Sequence, residues 1–182
     1  VGVITALVLA HRLGAAKRWG PRLAHAAFAI LIIYWSGLFV MHSRALSEVN
    51  FAAASIARER SETLTDFAAM PTLANPFFWQ AVAETDRAAY RFDVSLTDDI
   101  RYPTSIVRHD RADTMNSDFL LSAAKDRRTR IFLGFARFPV YRVAGADCLS
   151  ETVVQLADLR YTQPGAARGN FALEVPVTCP PQ

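Results

Sequence analysis

Residues Leu23 to Ser43 (LAHAAFAILIIYWSGLFVMHS) form a run of 21 without a single Asp, Glu, Lys or Arg. At about 1.5 Å rise per residue, a helix of that length reaches across the roughly 30 Å hydrocarbon core of a bilayer. No soluble core that 182 residues could build needs an uncharged helix that long. Arg22 closes one end of the run; His42 and Arg44 close the other. Tyr34 and Trp35 sit near its middle rather than at the rims, which suits packing against another membrane helix better than an interfacial belt.

A second apolar run, Val1–Ala10, is only ten residues long and does not begin with Met. A signal peptide carries its cations before the apolar stretch, and here they follow it. The expectation is therefore a fragment cut inside a preceding membrane helix. The connecting segment His11–Arg22 holds four cations, Arg12, Lys17, Arg18 and Arg22, and no acid. Read as a short loop, it is cytoplasmic by the positive-inside rule, and everything after Ser43 lies on the outer face.

The net charge of +3 comes from that loop. From Arg44 onward the chain has 16 Lys+Arg against 17 Asp+Glu, a balance of −1. A basic stripe able to track phosphates is absent there, so no nucleic-acid partner is expected. The two cysteines exclude a disulfide-dense scaffold and a four-cysteine zinc site.

Three segments are expected: membrane segments over 1–43, a membrane-proximal helix and linker over 44–72, and a C-terminal α+β domain over 73–182. Leu46, Val49, Ala53, Ile56, Arg60, Leu64 and Phe67 recur every three or four residues and predict an amphipathic helix over Arg44–Ala69, ended by Pro71. Met70–Pro76 reads as a linker. The period then changes to two. Gln80–Glu84 is a short strand, Thr85–Arg87 a turn, and Ala88–Leu96 a half-buried strand. Thr97–Thr114 reads as loop. A helix capped by Asn116 or Ser117 runs to about Phe135, and its Lys125–Arg130 cluster forms a solvated face. Strands follow from Phe138, over Val153–Leu159 and over Phe171–Val177, the last two a hairpin around Thr162–Asn170. The fold class is α+β: a transmembrane helix continuing into an amphipathic helix, then a small, mostly antiparallel sheet domain with one or two helices.

Groups that carry chemistry are sparse. His109, Asp110 and Asp113 form the one local His/Asp cluster, a weak set of metal candidates, and a lone His in a polar loop is more often simply solvated. His25 and His42 lie about 26 Å apart on one helix and cannot share an ion. Neither a Gly-rich phosphate loop nor a Gly-x-Ser-x-Gly elbow occurs. In the predicted hairpin, with Val153 opposite Val177, Cys148 and Cys179 fall within a few residues of each other past the open end. On the outer face such a pair is a disulfide candidate.

Three short motifs carry a resemblance. Asn75-Pro76-Phe77-Phe78-Trp79-Gln80, followed by Glu84-Thr85 and Tyr90, is similar to the "NP..W..V.ET...Y" pattern of a bacterial family, the LexA-binding, inner-membrane-associated metal-dependent hydrolases. Phe135-Ala136-Arg137-Phe138-Pro139-Val140 resembles that family's "W-S-R-F-P" strand, with Phe135 where Trp is common. Asp158-Leu159-Arg160-Tyr161 resembles its "D-L-R-Y" strand end. The resemblance covers residues 20 to 178 and rests on motif order and spacing.

It implies a multi-pass inner-membrane protein with a periplasmic C-terminal domain. A divalent metal, zinc among the candidates, would be held by His- and Asp-bearing motifs on upstream membrane helices. The expected partners are the lipid bilayer and those helices; no ligand set carries over to this chain, so the fragment itself is expected to hold no cofactor and to be inactive. Asn75, Pro76, Trp79, Glu84, Tyr90, Arg137, Pro139, Asp158, Arg160 and Tyr161 are the motif positions, without assigned roles. LexA binding is implied by the family's name alone and does not suit a domain on the outer face. The alternative is a membrane-tethered, non-catalytic domain that binds an envelope partner or a lipid head group.

Overall fold

The structure, a computed structural model, describes residues 5, 8–9, 15–73, 75–97, 103, 105–111, 114–145, 152–164 and 171–178, of which 15–19 and 114–116 by backbone alone. The chain divides into two compact units, 1–43 and 44–182.

In the first unit Thr5, Val8 and Leu9 are helical. Helix α1 (Ala15–Glu59) then begins inside the stretch expected to be a loop. Ala15–Arg22 is already helical, and Pro21 is accommodated within the helix at the loss of one backbone hydrogen bond. Among the described residues α1 is the one helix long and apolar enough to cross a membrane. Its best window has a mean hydropathy of 2.0, and none of that window is buried.

From residue 44 onward α1 becomes one-sided. Ala45, Val49, Ala52, Ala53, Ile56 and Ala57 are buried at spacings of three and four, while Ser47, Glu48 and Asn50 face outward. The helix predicted to reach Ala69 stops at Glu59. Ser61 adopts a left-handed conformation, φ 53°. The Ser61 N–H donates to Arg58 O at 3.2 Å and the Glu62 N–H to Ala57 O at 2.8 Å. This is the Schellman arrangement, with serine in the place glycine usually takes. The apolar spacing runs on past it, but Leu64 and Phe67 belong to a strand.

Four strands form the first sheet in the order β1-β2-β3-β4, every neighbour antiparallel: β1 (Leu64–Thr72), β2 (Asn75–Thr85), β3 (Ala88–Ser95) and β4 (Ile106–Asp110). β1 and the start of β2 replace the predicted linker, and β4 lies within the predicted loop. The predicted strand Gln80–Glu84, the turn after it and the strand Ala88–Leu96 fall on β2, the bend at 86–87 and β3. Helix α2 (Thr114–Ala123) and helix α3 (Arg127–Phe135) replace the single predicted helix, because the Asp126 carboxylate accepts from Arg128 N and caps a new start.

The second sheet is β5 (Pro139–Ala144), β6 (Thr152–Asp158) and β7 (Ala172–Val177), antiparallel throughout. Val153 faces Pro176, not Val177. The pairing is one residue away from the predicted register, so the two faces of β7 exchange relative to β6. Cys148 and Cys179, with the bridge predicted from that register, lie outside the described residues.

Strand alternation gives each sheet two faces. Val82 and Ala89 of the first sheet, with Ala68 and Met70, pack on Val140 and Ala157 of the second and on Phe138 and Leu159, which flank its strands. The second sheet's other face, Val154, Leu156 and Val175, is covered by Phe119 and Ala123 of α2 and Phe132 of α3. Each large buried side chain in these layers contributes about 1.5–3 kcal/mol. The first sheet's remaining face holds Ala81, Ala83, Tyr90 and Phe92, all buried. Arg60, at the end of α1, lies over the Tyr90 ring there, 5.5 Å from its centroid.

The left-handed serine makes the helix end a test of this reading. Ser61→Gly is expected to stabilise the second unit by about 1 kcal/mol, and Ser61→Val to destabilise it, because a Cβ is penalised at positive φ. Thermal unfolding of the full chain in detergent micelles measures both; equal melting temperatures would contradict the assigned helix end.

Candidate functional site

Two carboxylate nodes organise the second unit. The first is Glu62, directly after the helix end, whose side chain is 3% exposed. Its Oε2 accepts from the Tyr90 hydroxyl at 2.7 Å and from the Thr85 hydroxyl at 2.7 Å. Its Oε1 accepts from Arg108 Nη2 at 3.0 Å. The same guanidinium reaches Asp110 at 2.9 Å. One carboxylate thereby joins the end of α1 to β2, β3 and β4.

Burial disfavours the charged form of Glu62, but the hydrogen bonds from Thr85 and Tyr90 and the charge of Arg108 outweigh it and lower its pKa. Tyr90 moves the other way. Burial, then its bond to Glu62 and that carboxylate's charge, push it from the usual 10 up to about 12.

The second node is Asp158, fully buried at the end of β6. Its carboxylate accepts from Arg160 Nη2 at 2.6 Å, Arg160 Nε at 3.1 Å, Arg160 N at 3.1 Å and Arg137 N at 3.1 Å. Burial opposes ionisation here too; the Arg160 side chain, the two backbone donors and the Arg160 charge prevail and hold the pKa down. The Arg137 side chain turns away and grips Asp66 of β1 with Nη2 at 3.1 Å and Nε at 3.2 Å. Pro139 pairs with Asp158 across β5 and β6. Arg160 stacks over Tyr161, 5.0 Å from the ring centroid. Tyr161 stacks in turn on Phe171, with centroids 4.2 Å apart.

Among the motif residues, then, Arg137, Pro139, Asp158, Arg160 and Tyr161 come together. Glu84 and Tyr90 do not join them: Tyr90 belongs to the Glu62 node, and Glu84 pairs with Arg111. Asn75, Pro76 and Trp79 sit at the start of β2. There the Asn75 Oδ1 accepts from Phe77 N at 3.0 Å and the Trp79 Nε1 donates to Pro76 O at 2.9 Å. Glu62, Asp66 and Arg108 were not singled out from the sequence, and Thr85 entered only as part of a motif and a turn. Glu62 and Asp66 lay inside a predicted helix and Arg108 inside a predicted loop, so no spacing rule linked them.

The metal candidates do not converge. His109 and Asp110 are successive residues of β4, not of a loop, and successive strand side chains point to opposite faces. Asp110 is held by Arg108 on the face of the Glu62 node. His109 lies opposite Ala89, on the other face. Its Nε2 is buried without a hydrogen-bond partner among the described residues. Burial and the Arg91 charge lower its pKa against the pull of Asp110, so the ring favours the neutral form. Asp113 lies outside the described residues. Among those residues no three His, Cys, Asp or Glu side chains are placed to hold an ion. The groups described here do not fit a divalent metal.

No protein-family model, no curated protein and no solved structure matches the chain.

Chemically, both carboxylates are held by structural donors. Asp158 is a carboxylate with all its acceptor capacity engaged, and Tyr90 stays protonated through the physiological range. Asp158→Ala is expected to cost about 3 kcal/mol, because it leaves the Arg160 charge half-buried and unpaired. Arg137→Ala is expected to cost less through its half-exposed pair with Asp66, about 1 kcal/mol or under. Chemical denaturation of the two variants measures the difference, and equal losses would contradict it.

The Glu62–Tyr90 pair gives stability two pH limits. The lowered pKa of Glu62 makes its contribution full above the ordinary glutamate value and lost as pH falls through the folded value. The raised pKa of Tyr90 makes its contribution full below the ordinary tyrosine value of 10 and lost as pH rises through about 12. Glu62→Gln should flatten the acid limb of a stability–pH profile and Tyr90→Phe the alkaline limb; unchanged limbs would contradict the node.

Proposed function

We propose that the chain is the membrane-anchored C-terminal part of a membrane-bound metal-dependent hydrolase. In this reading Leu23–Ser43 crosses a bacterial inner membrane as one span of a multi-pass protein. The four-cation segment before it is cytoplasmic and the second unit is periplasmic. The metal and the catalytic groups belong to membrane helices upstream, and the second unit shapes or covers the site they form. The hydrolase assignment is supported by the three ordered motifs; the anchor is supported by the unburied apolar window of α1.

The observation that carries the non-catalytic role of the second unit is that structural donors hold its buried carboxylates. Glu62 and Asp158 spend their acceptors on structural donors from Thr85, Tyr90, Arg108, Arg137 and Arg160. A general acid or base needs a proton to exchange near neutral pH, and both carboxylates are held ionised below that range.

The alternative, a tethered domain that binds an envelope partner, is favoured by one feature. Phe135, Tyr161 and Phe171 form an aromatic cluster whose members are each about half exposed.

Elemental analysis of the purified full chain tests the first reading. It should contain no stoichiometric zinc or manganese, and a tightly bound ion lost on His109→Ala would contradict it. The coding sequence upstream of Val1 separates the two readings: membrane helices with His- and Asp-bearing motifs are expected, and their absence would favour the tethered domain.

A further inference from the structure

β4 is the edge of the first sheet, five residues long and paired on one side only, with Ala88–Phe92 of β3. A short edge strand is the part of a sheet that opens most readily. Alternation divides its side chains between two faces. Arg108 and Asp110 share one face, where Arg108 reaches Glu62 at 3.0 Å. Val107 and His109 share the other.

The second face is poorly suited to a charged imidazole. His109 is half-buried opposite Ala89, and its Nε2 is buried without a hydrogen-bond partner among the described residues. On β3 the diagonal neighbour on this face is Arg91, a charge of the same sign as an imidazolium. Asp93 is exposed and lies beyond the last pair of β3 with β4. On β2 Ala89 faces Glu84, and Glu84 is engaged by Arg111, just past the end of β4. On β1 Glu84 faces Asp66, and Asp66 is engaged by Arg137.

The surroundings offer no better partner. In the bend, Asp86 accepts from Thr63 N at 2.8 Å and Arg87 O accepts from Arg111 N at 2.9 Å. Asp110, next to His109 in sequence, is turned to the other face and pairs with Arg108 at 2.9 Å. Phe138 and Leu159, in the cluster that includes Ala89, are apolar. Asp158, beside Leu159, is held by Arg160 and by Arg137 N. A proton on His109 therefore adds a charge next to Arg91 in a site built for a neutral ring, which agrees with its lowered pKa.

We propose that β4 is an acid-sensitive latch: uptake of a proton by His109 releases the strand from β3 while the rest of the second unit stays folded. Released, His109 reaches water and leaves Arg91. Glu62 gives up Arg108 but keeps Thr85 and Tyr90, so its node survives. Release uncovers the backbone edge of Ala88–Phe92, the kind of edge with which an added strand pairs. The docked strand favours neutral His109, whereas the released strand titrates near the ordinary value of 6.5. Docking is thus fully favoured above that value and weakens as pH falls toward the docked one, by up to about tenfold per pH unit for one proton. Glu62 and Asp158, with pKa values below the ordinary carboxylate range, stay ionised through this window.

Hydrogen–deuterium exchange of the full chain in detergent micelles, read by mass spectrometry from about pH 7.5 to about pH 5 and corrected for intrinsic exchange, tests the latch. Protection over Ile106–Asp110 should fall several-fold on acidification while protection over Thr152–Asp158 stays constant. In His109→Gln the fall should vanish. Constant protection of β4, an equal fall in His109→Gln, or a parallel fall over Thr152–Asp158 would overturn the proposal. Should His109→Gln open β4 at every pH, Arg91→Gln decides: without the neighbouring charge the fall should shrink, and an undiminished fall would overturn the proposal equally.

Discussion

The second unit depends on one buried carboxylate at a change of direction. Glu62 follows immediately after the helix end, with its side chain 3% exposed and three donors from three strands converging on it. Removing those donors would leave a charge stranded in a dry site, which proteins tolerate poorly. The strands carrying Thr85, Tyr90 and Arg108 are therefore obliged to meet where α1 stops.

The Asp158 node does for the second sheet what Glu62 does for the first. It ties the end of β6 to the chain before β5, and the Arg137 side chain carries the connection on to Asp66 in β1. Arg137 and Asp66 are 71 positions apart in sequence, so this contact closes a long loop of chain. Residues of the three short motifs thus act in the architecture of the unit.

Much of the architecture was legible in the sequence because burial writes itself as periodicity. The uncharged run, the alternation Tyr90-Phe92-Val94 and the strands around Val154 and Val175 needed only hydrophobic spacing, and the α+β class followed from them. What was not legible has physical reasons. The helix end was hidden because Ser61 fills a position where glycine is the usual marker, and because Leu64 and Phe67 happened to continue the helical spacing. β4 was hidden because it is an edge strand, whose Arg108 and Asp110 look like loop residues. The β6–β7 register slipped by one because both faces of β7 offer apolar residues, Leu173, Val175 and Val177 on one and Ala172 and Pro176 on the other. The carboxylate nodes were hidden because a bond between Glu62 and Arg108, or between Asp66 and Arg137, leaves no mark in local spacing.

The central claim is that α1 anchors the chain across a membrane with the second unit outside the cytoplasm. A reporter enzyme that folds only outside the cytoplasm, fused after Gln182 and expressed in a bacterial host, tests it most directly. The account predicts an active reporter there and an inactive one when a reporter that works only in the cytoplasm takes its place. Activity of the cytoplasmic reporter alone would contradict the orientation, and with it the assignment of the second unit to the outer face.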